Sequence, residues 1–233
     1  MKAIVGMGFR RDMIQDMGEY YLVEGDIEIR KETIRQRIRK TDQWIADYLV
    51  DYTRVKNIVV KIDASIPTSG TDNWRTEIGQ AIDEWNNIQN CRVQMTINNS
   101  SSNPDITIYG VDHNTFGSYY VQAAAAFPGS NGYAGYRIRI SLDYLWDLEI
   151  SSSRKKNNMV HEFGHCIGFR HTNWMSLPNE PQATQIFGTP STDDNSVMNG
   201  GTADNSWAGF SAYDVRAAVA MYTQGNWINI AGG

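Results

Sequence analysis

The stretch HEFGHCIGFRHT, residues 161–172, decides how the rest of the chain is read. It holds three of the four histidines in the sequence, His161, His165 and His171, with Glu162 beside the first. On an α-helix, residues four apart lie about 40° apart around the axis and one turn along, so His161 and His165 project side by side. Gly168 supplies the left-handed conformation with which helices commonly end, so the chain can swing back and deliver His171 as a third nitrogen ligand. Three protein ligands leave one tetrahedral position open, the pattern of a catalytic rather than a structural zinc site. Imidazole also suits other first-row metals, with zinc the first choice. Glu162 flanks the open position, where a carboxylate can serve as general base toward a metal-activated water. A bare HExxH arises by accident on amphipathic helices; Gly168 and His171 in addition make accident a poor account.

Around this stretch the chain has the texture of one large domain with an appendage. From residue 57 onward NIVVKI (57–62) reads as a strand from its β-branched residues. A helix follows, with Trp74, Ile78, Ala81, Ile82 and Trp85 at helical spacing and Thr71 or Asp72 as its cap. RVQMTI (92–97), DITIYG (105–110), VQAAAAF (121–127) and YRIRISL (136–142) complete five expected strands, with turn-forming runs between them. Ser151 to Ser153 offer caps for the histidine helix, and Ser211 with Asp214 makes an S-x-x-D cap for a closing helix. Residues 1–55 hold a short apolar and acidic run, YYLVEGDIEI, and a charged helical stretch, RKETIRQRIRKTDQWIADYLV. Too little apolar material lies there for an independent core, so the segment is expected to pack on the main domain.

Composition narrows the partners. A net charge of −5 argues against nucleic acid, which needs clustered cations; the one basic run, RQRIRK (35–40), is flanked by acids and reads as a solvated helix face. No run reaches the ~18 apolar residues of a membrane span. MKAIVGMGF is too short and glycine-broken for a signal-peptide core, which leaves a cytosolic chain or one whose export signal lies outside the sequence. Cys91 and Cys166 are compatible with one disulfide or with two buried thiols.

HEFGHCIGFRH also resembles the HExxHxxGxxH signature of the metzincin zinc peptidases. SVMNGG (196–201) resembles the methionine turn that those proteins carry beneath the metal, which nominates Met198. VEGDI (23–27), the DITI strand, AAAAFPG, GHCIGFRHT, SVMN and FSAYD together resemble the bacterial dual-action HEIGH metallopeptidases, with Phe163 at the third letter. The resemblance implies an α+β fold: a twisted mixed five-stranded sheet with a backing helix and an active-site helix. It divides the catalytic domain, 56–233, into an upper subdomain (56–168) and a small lower one (169–233) with the methionine turn and the closing helix. It also makes Ala123, Ala124, Ala125 and Ala126 the strand at the sheet edge that pairs with extended substrate.

VEGDI further resembles the F-x-G-D element of propeptides in the astacin branch, where an aspartate caps the zinc. Gly25 allows a close backbone approach and Asp26 can supply an anionic oxygen at the fourth position. Residues 1–55 then become a latency segment, removed by a cut between Arg35 and Lys56. Departures from the family are also visible. Gly200 stands where some metzincins place a tyrosine, Tyr213 reads as core packing, and only Asp112 and His113 lie where one branch builds a second zinc site. One catalytic Zn2+ is therefore expected, with STDDN (191–195) a candidate calcium loop.

The function these readings imply is a secreted, monomeric zinc endopeptidase made as a zymogen. It would act on peptide or protein substrates and be exported to the bacterial cell envelope or beyond. Two other functions share the same residues: a non-peptidase zinc amidase or hydrolase, and a metal-bearing binding module without catalysis. Glu162 counts against the last, because a purely structural site has no use for a base.

Overall fold

The computed structural model describes residues 11–23, 25–31, 48–145, 149–173, 186 and 189–224. The five strands expected from the sequence all form: β4 (Ile58–Ile62), β5 (Met95–Ile97), β6 (Ile106–Val111), β7 (Ala123–Ala126) and β8 (Arg137–Ser141). With the amino-terminal segment included, the sheet has eight strands among the described residues. Residues of the amino-terminal segment add β1 (Ile14–Asp16), β2 (Tyr20–Val23) and β3 (Ile27–Arg30), giving the order β1-β2-β3-β7-β8-β6-β4-β5. YYLV is buried along its whole length, so the alternation that marks a half-exposed strand is absent from it. Gly25, at φ +93°, lies in the turn between β2 and β3.

The added strands also change the surroundings of the expected edge strand in this chain. Ala123–Ala126 do form a strand, but β7 is internal: β3 pairs with it in parallel on one side and β8 antiparallel on the other. Strand order depends on a partner almost a hundred residues away, which no local pattern encodes. In the chain as it stands the sheet edges are β1 and β5.

Two helices pack together beside the sheet, α1 (Arg75–Asn86) and α2 (Ser152–Cys166). Trp74 at the N-cap and Ile78, Ala81, Ile82 and Trp85 of α1 are all in the main core, and Trp85 Nε1 donates to the Val160 carbonyl of α2 at 3.0 Å. Neither Thr71 nor Asp72 caps α1; Asn73 Oδ1 instead accepts from Arg75 N at 2.9 Å. Ser151 caps α2 as expected, accepting from Arg154 N. The third helix, α3 (Ala212–Met221), begins with the full reciprocal box of Ser211 and Asp214. Cys91 and Cys166 are both buried and free, so the disulfide alternative falls away. The charged stretch between residues 32 and 47 lies outside the described residues.

Candidate metal centre

The last turns of α2 are buried on every side, from Asn157 through Cys166. The helix then ends in a Schellman closure: Gly168 N donates to His165 O at 3.0 Å and Phe169 N donates to Gly164 O at 2.9 Å. Gly168 has φ +100°, and a Cβ there would come within 2.9 Å of Leu49. The reversal carries His171 back toward the helix. Its Nε2 lies 3.3 Å from His161 Nε2, and the ring centroids of His165 and His171 are 4.9 Å apart.

Asp26 completes the group. Its Oδ2 lies 3.0 Å from His171 Nε2, 3.5 Å from His161 Nε2 and 3.9 Å from His165 Nε2. One donor atom from each of these four residues falls within 4.8 Å of all the others. The rings are held from behind: His161 Nδ1 donates to Val197 O at 2.7 Å, and His165 Nδ1 donates to Phe169 O at 2.8 Å. A carbonyl can only accept, so these bonds place the proton on Nδ1 and turn the Nε2 lone pair toward the centre.

The residues fit a divalent cation. His165 Nε2 and Asp26 Oδ1 are buried without a hydrogen-bond partner, as is Glu162 Oε2. Orphaned buried acceptors are rare and call for an explanation, and three imidazoles with a carboxylate oxygen match a four-coordinate zinc donor set. Burial, followed by the neighbouring His161, lowers the His165 pKa to about 4, which keeps its ring neutral and able to donate to a metal. Burial opposes the charge on Asp26, but the imidazoles, His171 foremost, outweigh it and hold the carboxyl well below its usual range. Burial and then the Asp26 charge push the Glu162 carboxyl well above its own.

Glu162 borders a cavity of about 140 Å³ that also reaches Gln122, Asn157 and Thr202, which leaves room for water beside the carboxylate. Met198 lies beneath the histidine helix, where its Sδ meets the face of Gly164; a Cβ at that glycine would come to 2.3 Å. A second recess, bounded by Phe169–Thr172, Thr189–Ser191, Met198 and Tyr213, opens on the other side of His171. Tyr213 is 41% exposed at its rim, so its reading as core packing is corrected: the first turn of α3 leaves that side chain outside. His113 does not join the centre. Its ring is paired with Asp143 and stacked on Tyr119. In the STDDN loop Asp193 accepts from Asn195 N and from Ser211 Oγ, so both its oxygens serve the fold.

Sequence reading did not anticipate the carbonyls of Val197 and Phe169, since a backbone acceptor leaves no mark in the residue letters. It also passed over Glu28 of β3, whose carboxylate is buried between Arg137 and Arg139 of β8. Two arginines alternating in a mostly buried strand, RIRIS, were the available signal.

Histidines converging from a helix and from the turn beyond it, over a buried methionine, define a zinc metallopeptidase of the metzincin class. More narrowly, the chain belongs to the dual-action HEIGH metallo-peptidases, whose sequence profile matches residues 21–222. Among solved structures it is similar to two of myroilysin. One is 16% identical with a TM-score of 0.47, covering 73% of this chain and 81% of that one. The other is 13% identical with a TM-score of 0.48, covering 92% and 97%. It is also similar to high choriolytic enzyme 1, a hatching-enzyme zinc protease from the medaka fish Oryzias latipes. There the identity is 14% and the TM-score 0.46, over 75% of this chain and 93% of that one. No curated protein matches. No helix among the described residues is long and apolar enough to cross a membrane.

Proposed function

We propose that this chain is the latent form of an exported zinc endopeptidase, in which His161, His165 and His171 hold the metal and Asp26 closes its fourth position. The observation that carries the reading is the Asp26 carboxylate lying within 4 Å of all three Nε2 atoms. When bound, zinc supplies a Lewis acid that polarises a peptide carbonyl and acidifies a water. Glu162 takes a proton from the attacking water as its oxygen bonds to the carbonyl carbon, and passes it to the amide nitrogen as the C–N bond breaks. The Val197 and Phe169 carbonyls keep His161 and His165 in the tautomer that donates from Nε2. Met198 forms the floor beneath α2 in the manner of a methionine turn.

Latency follows from two contacts made together. Asp26 takes the place a water needs, and β3 takes the ladder along β7 that an extended substrate needs. Removal of the segment turns Ala123–Ala126 into an edge strand. The substrate is then peptide in extended conformation, and the enzyme works outside the cell as a monomer.

The test is cleavage of an unfolded protein by the uncut chain. Asp26→Ala should raise its chelator-sensitive activity at least about tenfold, and Glu162→Ala should abolish cleavage while zinc, measured by elemental analysis, stays bound. Unchanged activity in Asp26→Ala would remove Asp26 as the group that closes the fourth position. Zinc retained with no peptide cleaved by any form would favour a binding module instead.

A further inference from the structure

Glu28 is a buried carboxylate that the metal centre does not use. It is 2% exposed in β3; its Oε2 accepts from Arg137 Nε and its Oε1 from Arg139 Nε. Among the described residues it is the one carboxylate paired with either arginine. The three side chains do not belong to neighbouring strands, because β7 runs between β3 and β8.

Register explains how they meet. Glu28 lies opposite Ala126, and Ala124 lies opposite Arg139. Side chains two apart share a face of a sheet, so Ala124 and Ala126 stand in the rows that separate Glu28 from the two guanidiniums. Methyl groups are short enough for the glutamate to pass over the strand; any longer side chain in those rows would stand in its way. The Tyr20 ring covers the arginines at 4.5 and 4.2 Å from their Cζ atoms.

The group that neutralises the pair, Glu28, and the ring that covers it, Tyr20, both come from the amino-terminal strands. The two cations and the alanine strand belong to the part that remains. A latch alone needs one ion pair, and a row of apolar residues would bind the segment without the cost of burying charge. Two arginines left beside a newly bared strand edge are a carboxylate site waiting for a second occupant.

We propose that Arg137 and Arg139 form a subsite for an acidic side chain of the substrate, and that Glu28 fills it in the uncut chain as that side chain's stand-in. The proposal rests on the reading of the amino-terminal strands as a removable latency segment. A substrate strand that takes over the ladder of β3 presents one residue opposite Ala126, and its carboxylate enters the arginine pair. That residue is two positions along the strand from the one that takes the place of Asp26 at the histidines.

The experiment uses the full chain with a specific protease site placed between residues 32 and 47, cut and freed of its segment. It is assayed on peptides carrying Glu, Gln, Asp, Asn or Lys at each position around the scissile bond. At one position Glu should be preferred to Gln by about tenfold or more in kcat/KM, chiefly through KM. In R137Q/R139Q that Glu/Gln ratio should fall to about one, and in R137K/R139K part of it should return. The ratio is formed within one preparation, so a partly folded fraction cancels. An active, cut enzyme with no Glu/Gln discrimination at any position overturns the subsite and leaves latency standing. Equal activity before and after the cut overturns both, because the amino-terminal strands then do not occupy the place of the substrate.

Discussion

Gly164 sits between the two helical histidines, and its missing side chain is as much a part of the signature as they are. Met198 Sδ occupies the space a Cβ would need, at 2.3 Å, and Met198 Cε lies at 2.9 Å. Gly164→Ala gains about 1 kcal/mol of helix propensity and loses about 1–3 kcal/mol to overpacking, so the net effect is destabilising. Thermal melts should show a lower midpoint, and Met198→Val in the same chain should recover part of it by vacating the contact. Equal melts for Gly164→Ala and the parent chain would mean that Met198 moves aside freely. At this scale the sequence was legible where chemistry resides in side-chain letters at helical spacing, as with His161, Glu162 and His165. It was silent where backbone does the work, as with the carbonyls that orient His161 and His165. Asp26 was readable only through resemblance, since Gly-Asp alone is an ordinary turn.

At the scale of elements, α3 does more than close the fold. Its N3 residue Asp214 accepts from Ser211 N at 3.0 Å to complete the cap, and from Val197 N at 3.0 Å and Ser196 Oγ at 2.6 Å in the turn that carries Met198. The same turn supplies the Val197 carbonyl that holds His161. Asp214→Ala should therefore cost about 2–4 kcal/mol, from a lost cap, an orphaned Val197 N and a lost bond from Ser196 Oγ in a buried setting. It should also loosen zinc, although α3 contributes no ligand. Urea unfolding reads the first effect and competition with a chromogenic chelator the second; loss of stability with zinc affinity unchanged would show the turn holding without its tether. The cap was legible as S-x-x-D, and the five strands from Ile58 to Ser141 by their apolar alternation and β-branched residues. The hairpin of β2 and β3 was not: YYLV is buried on both faces and loses the period-two signal, and IEIR alternates over only four residues. Nor was the internal position of β7, which is a fact about its partner β3 and not about four alanines.

For the whole molecule, the proposed latency segment needs a boundary, and packing narrows it. Residues 48–55 behave as part of the domain. Val50 and Val55 are 3% and 0% exposed in the main core, Val50 N donates to Tyr222 Oη at 3.1 Å, and Asp51 N donates to Gly132 O at 2.8 Å. Gln94 N donates to Val55 O at 2.9 Å, and Leu49 packs on the Gly168 reversal that delivers His171. A cut after Lys56 would detach two buried valines, about 3–6 kcal/mol of core, together with bonds that steady the third histidine. A cut among Arg35, Arg37, Arg39 and Lys40 detaches none of these. The boundary we propose is therefore before Tyr48, earlier than residue 55. Limited trypsin digestion should give a stable core whose amino terminus, by mass spectrometry, lies between residues 36 and 48, although Arg54 and Lys56 are also trypsin sites. A stable, zinc-retaining core beginning at Asn57 would return the boundary to residue 55–56. It would also mean that Val50 and Val55 serve the latent chain and not the enzyme.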